Sequence, residues 1–144
     1  MVMLVRARNH RKVFADQSGA AAVEFAIIGP MLVVLLIGIL SYGGYFWLSH
    51  SLQQLANDAA RVAITGLTQT ERQQLASQAM TSELTDYPFM KAQDVTATVT
   101  GDDQVLSVAV AYDATKAPFW IFQGLVPLPS ATITRSATVR LGGY

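Results

Sequence analysis

Cysteine is missing from this 144-residue chain, which excludes disulfides, thiolate metal sites and cysteine nucleophiles. Charge is also scarce: Asp, Glu, Lys and Arg make up 14% of the residues, against about 25% in ordinary soluble domains. Ten basic residues balance ten acidic ones. That neutrality excludes a generally basic nucleic-acid binder and a strongly acidic disordered chain. The two histidines, His10 and His50, have no carboxylate or second histidine at ligand spacing, so no metal site is expected. No Walker loop, GxGxxG, HExxH or GxSxG motif occurs, and the scattered serines suggest no triad. The chain reads as non-enzymatic, with no catalytic residue and no cofactor.

What is present is uneven. Arg6, Arg8, Arg11 and Lys12 crowd the first twelve positions, and after Asp16 and Glu24 no charged residue occurs until Asp58. Within that gap lies FAIIGPMLVVLLIGILSYGGYFWL, Phe25 to Leu48, whose 24 residues are 18 apolar ones, four Gly, one Pro and one Ser. A helix of that length rises about 36 Å, enough for a hydrocarbon core of roughly 30 Å. Tyr42, Tyr45, Phe46 and Trp47 gather at its C-terminal end like an interfacial aromatic belt. The basic excess before it keeps the N-terminus cytoplasmic under the positive-inside rule and sends the remainder across the membrane. A conventional cleavable signal peptide fits less well, because the apolar run exceeds the usual length of about 7–15 residues.

Three segments follow from these patterns: a basic leader without stable fold over 1–19, a long helix over 20–65 that is transmembrane over about 25–48, and an exported α+β head over 66–144. The helix is predicted from Ala20 to Ile64, apolar all round at first and then amphipathic through Leu48, Leu52, Leu55, Ala59, Val62 and Ala63. Pro30 should kink it. Gly38, Gly43 and Gly44 offer small faces for another helix, and Gly66 is the expected stop. A second helix is predicted over Glu71–Leu84, opened by a capping box of Thr70 with Gln73 or Thr68 with Glu71, with Leu75, Ala79 and Met80 as its apolar stripe. Pro88 closes the helical region.

From residue 93 the period changes to two. Val95, Ala97 and Val99 alternate with threonines, Gly101-Asp102-Asp103 makes a solvated turn, and Gln104–Asp113 forms a partner strand. A third strand runs from Ala131 to Leu141, with Arg135 and Arg140 on opposite faces. The apolar segment Pro118–Pro129 is broken by three prolines and a glycine, so it is a loop. It either closes the small sheet or lies on a partner or the bilayer. The fold class is therefore α+β: a long N-terminal helix, a short second helix and a small antiparallel sheet.

The informative motif is Gly19-Ala20-Ala21-Ala22-Val23-Glu24-Phe25. A lone Glu at the edge of an apolar helix is costly to bury and needs a partner. It also suits a helix N-terminus. The stretch resembles the prepilin peptidase site of the type IV pilin superfamily: a basic leader ending in Gly, then an acid at the fifth mature position of a hydrophobic helix. Over residues 16–63, about a third of the chain, the sequence is similar to the TadE-like family, the TadE/TadF-type minor pilins or pseudopilins of Tad/Flp tight-adherence systems. The matching features are Gly19, the Ala-rich start, Glu24-Phe25, the early Pro30 and the close Asn57-Asp58-Ala59-Ala60-Arg61.

The resemblance implies cleavage between Gly19 and Ala20, and an assembly or register role for Glu24, Phe25 and Pro30. It further implies a mature amine that is methylated. Its partners would be a prepilin peptidase, an inner-membrane platform protein, other minor pilins, the major pilin and membrane lipid. The location would be the bacterial inner membrane with a periplasmic head. The alternative is an uncleaved single-pass membrane protein with a periplasmic binding head.

Overall fold

A computed structural model describes residues 13–87, 89–102 and 104–141. The basic cluster Arg6, Arg8, Arg11 and Lys12, together with His10, Pro88 and Asp103, lies outside the described residues. The chain divides into two compact units after Ile37. The element order is α1 (Val13–Ala63), α2 (Gln69–Glu83), β1 (Val95–Gly101), β2 (Val105–Asp113) and β3 (Thr132–Arg140), with short 3₁₀ turns between them. This is the α+β arrangement expected.

Helix α1 begins at Val13, earlier than the predicted Ala20. Gly19 interrupts good helix formers at a cost of about 1 kcal/mol relative to Ala, and three alanines follow it at once. Pro30 lies inside the helix without ending it. In the first unit Val23, Phe25, Ile27, Met31 and their neighbours are exposed, with no cover among the described residues.

The second unit holds the core. Leu48, Leu52, Leu55, Ala56, Ala59, Ala60 and Ala63 of α1 are buried with Ala76 and Met80 of α2 and the inner row of the sheet. Val62, predicted in the stripe, is instead 38% exposed, while Ala56 and Ala60 take the inward places. The cause is the mismatch between 3.6 and 3.5 residues per turn. Over each heptad a straight helix drifts by about 20°, so the Leu48–Leu55–Val62 row turns outward and the Ser49–Ala56–Ala63 row turns in.

The loop after α1 closes on Gly66, whose N–H donates to Ala63 O (3.1 Å) and whose carbonyl accepts from Arg72 Nε (3.0 Å). A Cβ at Gly66 would fall 2.9 Å from the Arg72 backbone nitrogen. Helix α2 then starts two residues before the predicted Glu71. Of the two predicted capping boxes the structure uses Thr68 with Glu71: Thr68 Oγ1 accepts from the Glu71 N–H (3.2 Å), and the Glu71 carboxylate accepts from the Leu67 N–H (2.9 Å). Within α2 it is Ala76 and Met80 that are fully covered, with Leu75 and Ala79 half-buried.

The sheet is antiparallel with order β1-β2-β3, and the register pairs Val99 with Val108 and Val108 with Ala137. Its inner row carries Val95, Val99, Leu106, Val108, Val110, Tyr112, Ile133 and Ala137. Arg135 sits in the inner row and Arg140 in the outer one, on opposite faces as predicted. Between Val105 and Arg140 at one end and Asp113 at the other, the outer row is built of Thr, Ser and Ala.

Both sheet edges meet glutamines from helices. Gln73 of α2 donates through Nε2 to Ala97 O (3.0 Å) and accepts through Oε1 from the Val99 N–H (2.8 Å), while Gln69 Nε2 donates to Val99 O (2.9 Å). On the other edge Gln53 Nε2 of α1 donates to Ser136 O (3.0 Å). The hairpin between β1 and β2 turns at Gly101, where a Cβ would collide with the Val105 carbonyl oxygen. Asp102 Oδ1 locks that turn by accepting from the Gln104 and Val105 N–H groups, both at 2.8 Å. Those bonds hold its carboxyl below the usual carboxylate range.

Candidate assembly helix and membrane-facing loop

Of the residues the sequence marks out, Gly19, Ala20, Glu24, Phe25 and Pro30 all lie on α1 within the first unit. All five are exposed, Phe25 at 77%. Ala20 and Glu24 are four residues apart, so they share one helix face with Cβ atoms about 5–6 Å apart. A side chain added at Gly19 would meet nothing within 4 Å. The Gly19–Ala20 peptide bond is helical here. The segment Gly19–Ala63 contains a stretch long and apolar enough to cross a membrane.

The three glycines proposed for helix packing separate in the structure. Cβ atoms at Gly38 and Gly43 would meet nothing within 4 Å, whereas one at Gly44 would lie 2.6 Å from Phe119 Cδ1. The close approach at Gly44 is therefore taken by a ring of the same chain. Nearby, the Tyr42 hydroxyl donates to Pro127 O (2.6 Å). Cover of α1 begins at Ser41, which is fully buried.

The loop that makes these contacts is the apolar segment the sequence left with two readings, and it closes the second unit while leaving two apolar side chains outward. Ala117 and Val126 are buried and Phe119 and Trp120 pack against the core, so the loop closes the second unit. Ile121 and Leu125 face outward, 82% and 61% exposed. A 3₁₀ turn, Pro118–Phe122, opens it. Its backbone is largely self-satisfied: Trp120 N–H donates to Ala117 O, Gln123 N–H to Trp120 O, and the Leu125 and Val126 N–H groups to Phe122 O. An apolar cleft of about 270 Å³ opens beside it, between Gly44, Trp47, Leu48, Phe89 and Phe119. Trp47 stands edge-on to Phe89 (6.2 Å between centroids) and tilted to Tyr87 (6.2 Å).

Titratable groups near these features are few. Among the described residues no group of three or more His, Asp or Glu side chains is placed to hold a metal ion. Burial, with Asp58 and Asp86 nearby, pushes the Glu83 carboxyl up. Burial also raises the Tyr112 hydroxyl, which donates to Phe89 O (3.4 Å), with Asp94 and Asp113 adding to the effect. Sequence reasoning missed the three edge glutamines. For Gln69 and Gln73 the signal available was the run QTERQQLASQ, a helix with too thin an apolar stripe to dock by hydrophobic contact alone.

Neither a curated protein nor a solved structure matched the chain. Residues 19–61, 43 of the 144, match the family model described as TadE-like protein.

Proposed function

We propose that this chain is a minor pilin or pseudopilin of a Tad/Flp type IVb pilus, cut between Gly19 and Ala20 and assembled through α1. The carrying observation is the coincidence of three features at one place. The family match opens at residue 19, a lone acid follows at Glu24, and an exposed apolar helix begins beside it. The role is structural, with energy for assembly coming from a separate ATPase, because the chain has no phosphate-binding loop.

The mechanism rests on charge pairing in hydrocarbon. Cutting after Gly19 frees the Ala20 amine, a cation on the same face as Glu24 and one turn away. A carboxylate alone at that depth is expensive. Pairing the amine with Glu24 of the same or a neighbouring subunit neutralises both. Such a pair fixes stagger more than it adds stability, since desolvation offsets most of the attraction. Gly38 and Gly43, open to close approach, then let a second helix pack against α1. The partners in this reading are a prepilin peptidase, the inner-membrane platform protein, other minor pilins, the major pilin and membrane lipid. The N-terminus is cytoplasmic and the head periplasmic.

Glu24→Ala should leave the chain membrane-inserted and processed but missing from sheared pili; normal incorporation of that variant would overturn the role. A second reading, an uncleaved single-pass protein with a periplasmic binding head, draws support from the helical backbone through the Gly19–Ala20 junction. Intact mass after co-expression with the peptidase separates the two: a chain beginning at Ala20 supports cleavage, and one still beginning at Met1 rejects it.

A further inference from the structure

The loop after β2 carries no charged residue from Ala117 to Thr134, between Lys116 and Arg135. It presents Ile121 and Leu125 outward. Soluble surfaces seldom show such a run, and a large exposed apolar patch marks a contact. The second unit itself says which contact. The loop is bonded to Tyr42 and packed on Gly44, and burial of α1 starts at Ser41. These positions lie four to seven residues inside Leu48, the end of the apolar run, or about 6–10 Å along the helix axis. They coincide with the aromatic belt Tyr42–Trp47, so a spanning α1 holds the loop at the membrane–water boundary.

We infer that Pro118–Pro129 lies in the outer-leaflet interface of the membrane that α1 crosses, giving the head a second lipid contact. The backbone is suited to that depth. Unpaired N–H and C=O groups are costly in lipid. Here four loop N–H groups donate to loop carbonyls, the Pro127 carbonyl accepts from Tyr42, and three prolines have no N–H to satisfy. Phe119, Trp120 and Phe122 supply interfacial aromatics. Phe89, 57% exposed beside Trp47, extends the same apolar surface. Lipid is the occupant because the loop is bonded to Tyr42 and packed on Gly44, both inside the apolar run of α1, and has no charge to steer a protein partner.

The inference rests on α1 spanning the membrane but not on cleavage or pilus assembly. The absence of native cysteine makes the test clean. Full-length Ile121→Cys, labelled with an environment-sensitive fluorophore and reconstituted in phosphatidylcholine vesicles, should emit to the blue of the same label at Thr98→Cys on the outer sheet row. Lipids spin-labelled near the headgroup end of the acyl chain should quench it more strongly than lipids labelled near the terminal methyl, and Leu125→Asp should reduce that quenching. Alkaline extraction reports insertion of α1 in the same samples.

Retention in the membrane with water-like, unquenched emission overturns the inference. So does rapid disulfide dimerisation of unlabelled Ile121→Cys without lipid quenching, which would name a second copy as the cover. Release by alkali removes the spanning helix and the lipid-contacting loop together. Quenching as expected with failure to enter pili keeps the lipid contact and overturns the pilin role alone.

Discussion

Glu83 shows how a single partly covered carboxyl tunes the second unit. Burial, then repulsion from Asp58 and Asp86, raises its proton affinity above the ordinary value of 4.5. An acid that binds its proton more tightly when folded favours folding on the acid side, and that contribution is lost as pH climbs from about 4.5 through the raised value. Glu83→Gln should therefore flatten the fall in melting temperature between pH 4.5 and 7 and raise the melting temperature at pH 7. Thermal unfolding of the detergent-solubilised chain at several pH values checks this. Asp102 has the opposite sign: its turn bonds hold the carboxyl down, so its contribution is present above 3.8 and lost as pH falls. Measurements should stay above about pH 4 to keep the two titrations apart. The Glu83 shift is not legible in sequence, because Asp58 approaches it only through the packing of α1 with α2, whereas the Asp102 bonds are local to a turn the sequence marks.

At the scale of elements, α2 is the instructive case. Its sequence shows a helix and its cap but not how it docks, since Leu75 and Ala79 are only half covered. Docking is instead achieved by glutamine amides that meet β1 as a fourth strand would. Gln73→Ala leaves the Val99 N–H and the Ala97 carbonyl without partners, at a cost of about 1–3 kcal/mol for buried groups and less for these half-covered ones. Gln73→Glu should be milder, because a carboxylate still accepts from Val99 although it cannot donate to Ala97. Denaturant titration of the two variants tests that order, and equal losses would contradict the edge role. Strands were more legible than this docking. Alternation of Val and Thr gave β1 and β3 to within a residue or so, since a period of two puts one residue type on each face. The Val62 displacement has the same character as the glutamines: spacing identifies a stripe, but its centre depends on what packs there.

For the molecule as a whole, the charge balance is a sum over parts. Residues 1–19 hold four basic residues and one acidic one, and residues 20–144 hold six basic and nine acidic. A cut after Gly19 therefore turns a neutral chain into one of formal charge −3. Isoelectric focusing should show the processed species clearly acid-shifted from the precursor, and a Gly19→Phe variant should stay at the precursor position.

One face of the second unit bears on how such chains could crowd. The outer row of the sheet offers Thr96, Thr98, Ser107, Ala109, Ala111, Thr134, Ser136 and Thr138, with Thr138 Oγ1 bonded to Ser107 Oγ (3.2 Å). Between its ends, where Val105 pairs with Arg140 and Asp113 with Thr132, nothing bulky rises from it, and tight protein contacts depend on large anchors such as Trp, Tyr or Arg. A centre this low and hydroxylated gives neighbours nothing to grip. Subunits standing shoulder to shoulder in a membrane could slide past one another on that side without sticking, leaving recognition to the helix.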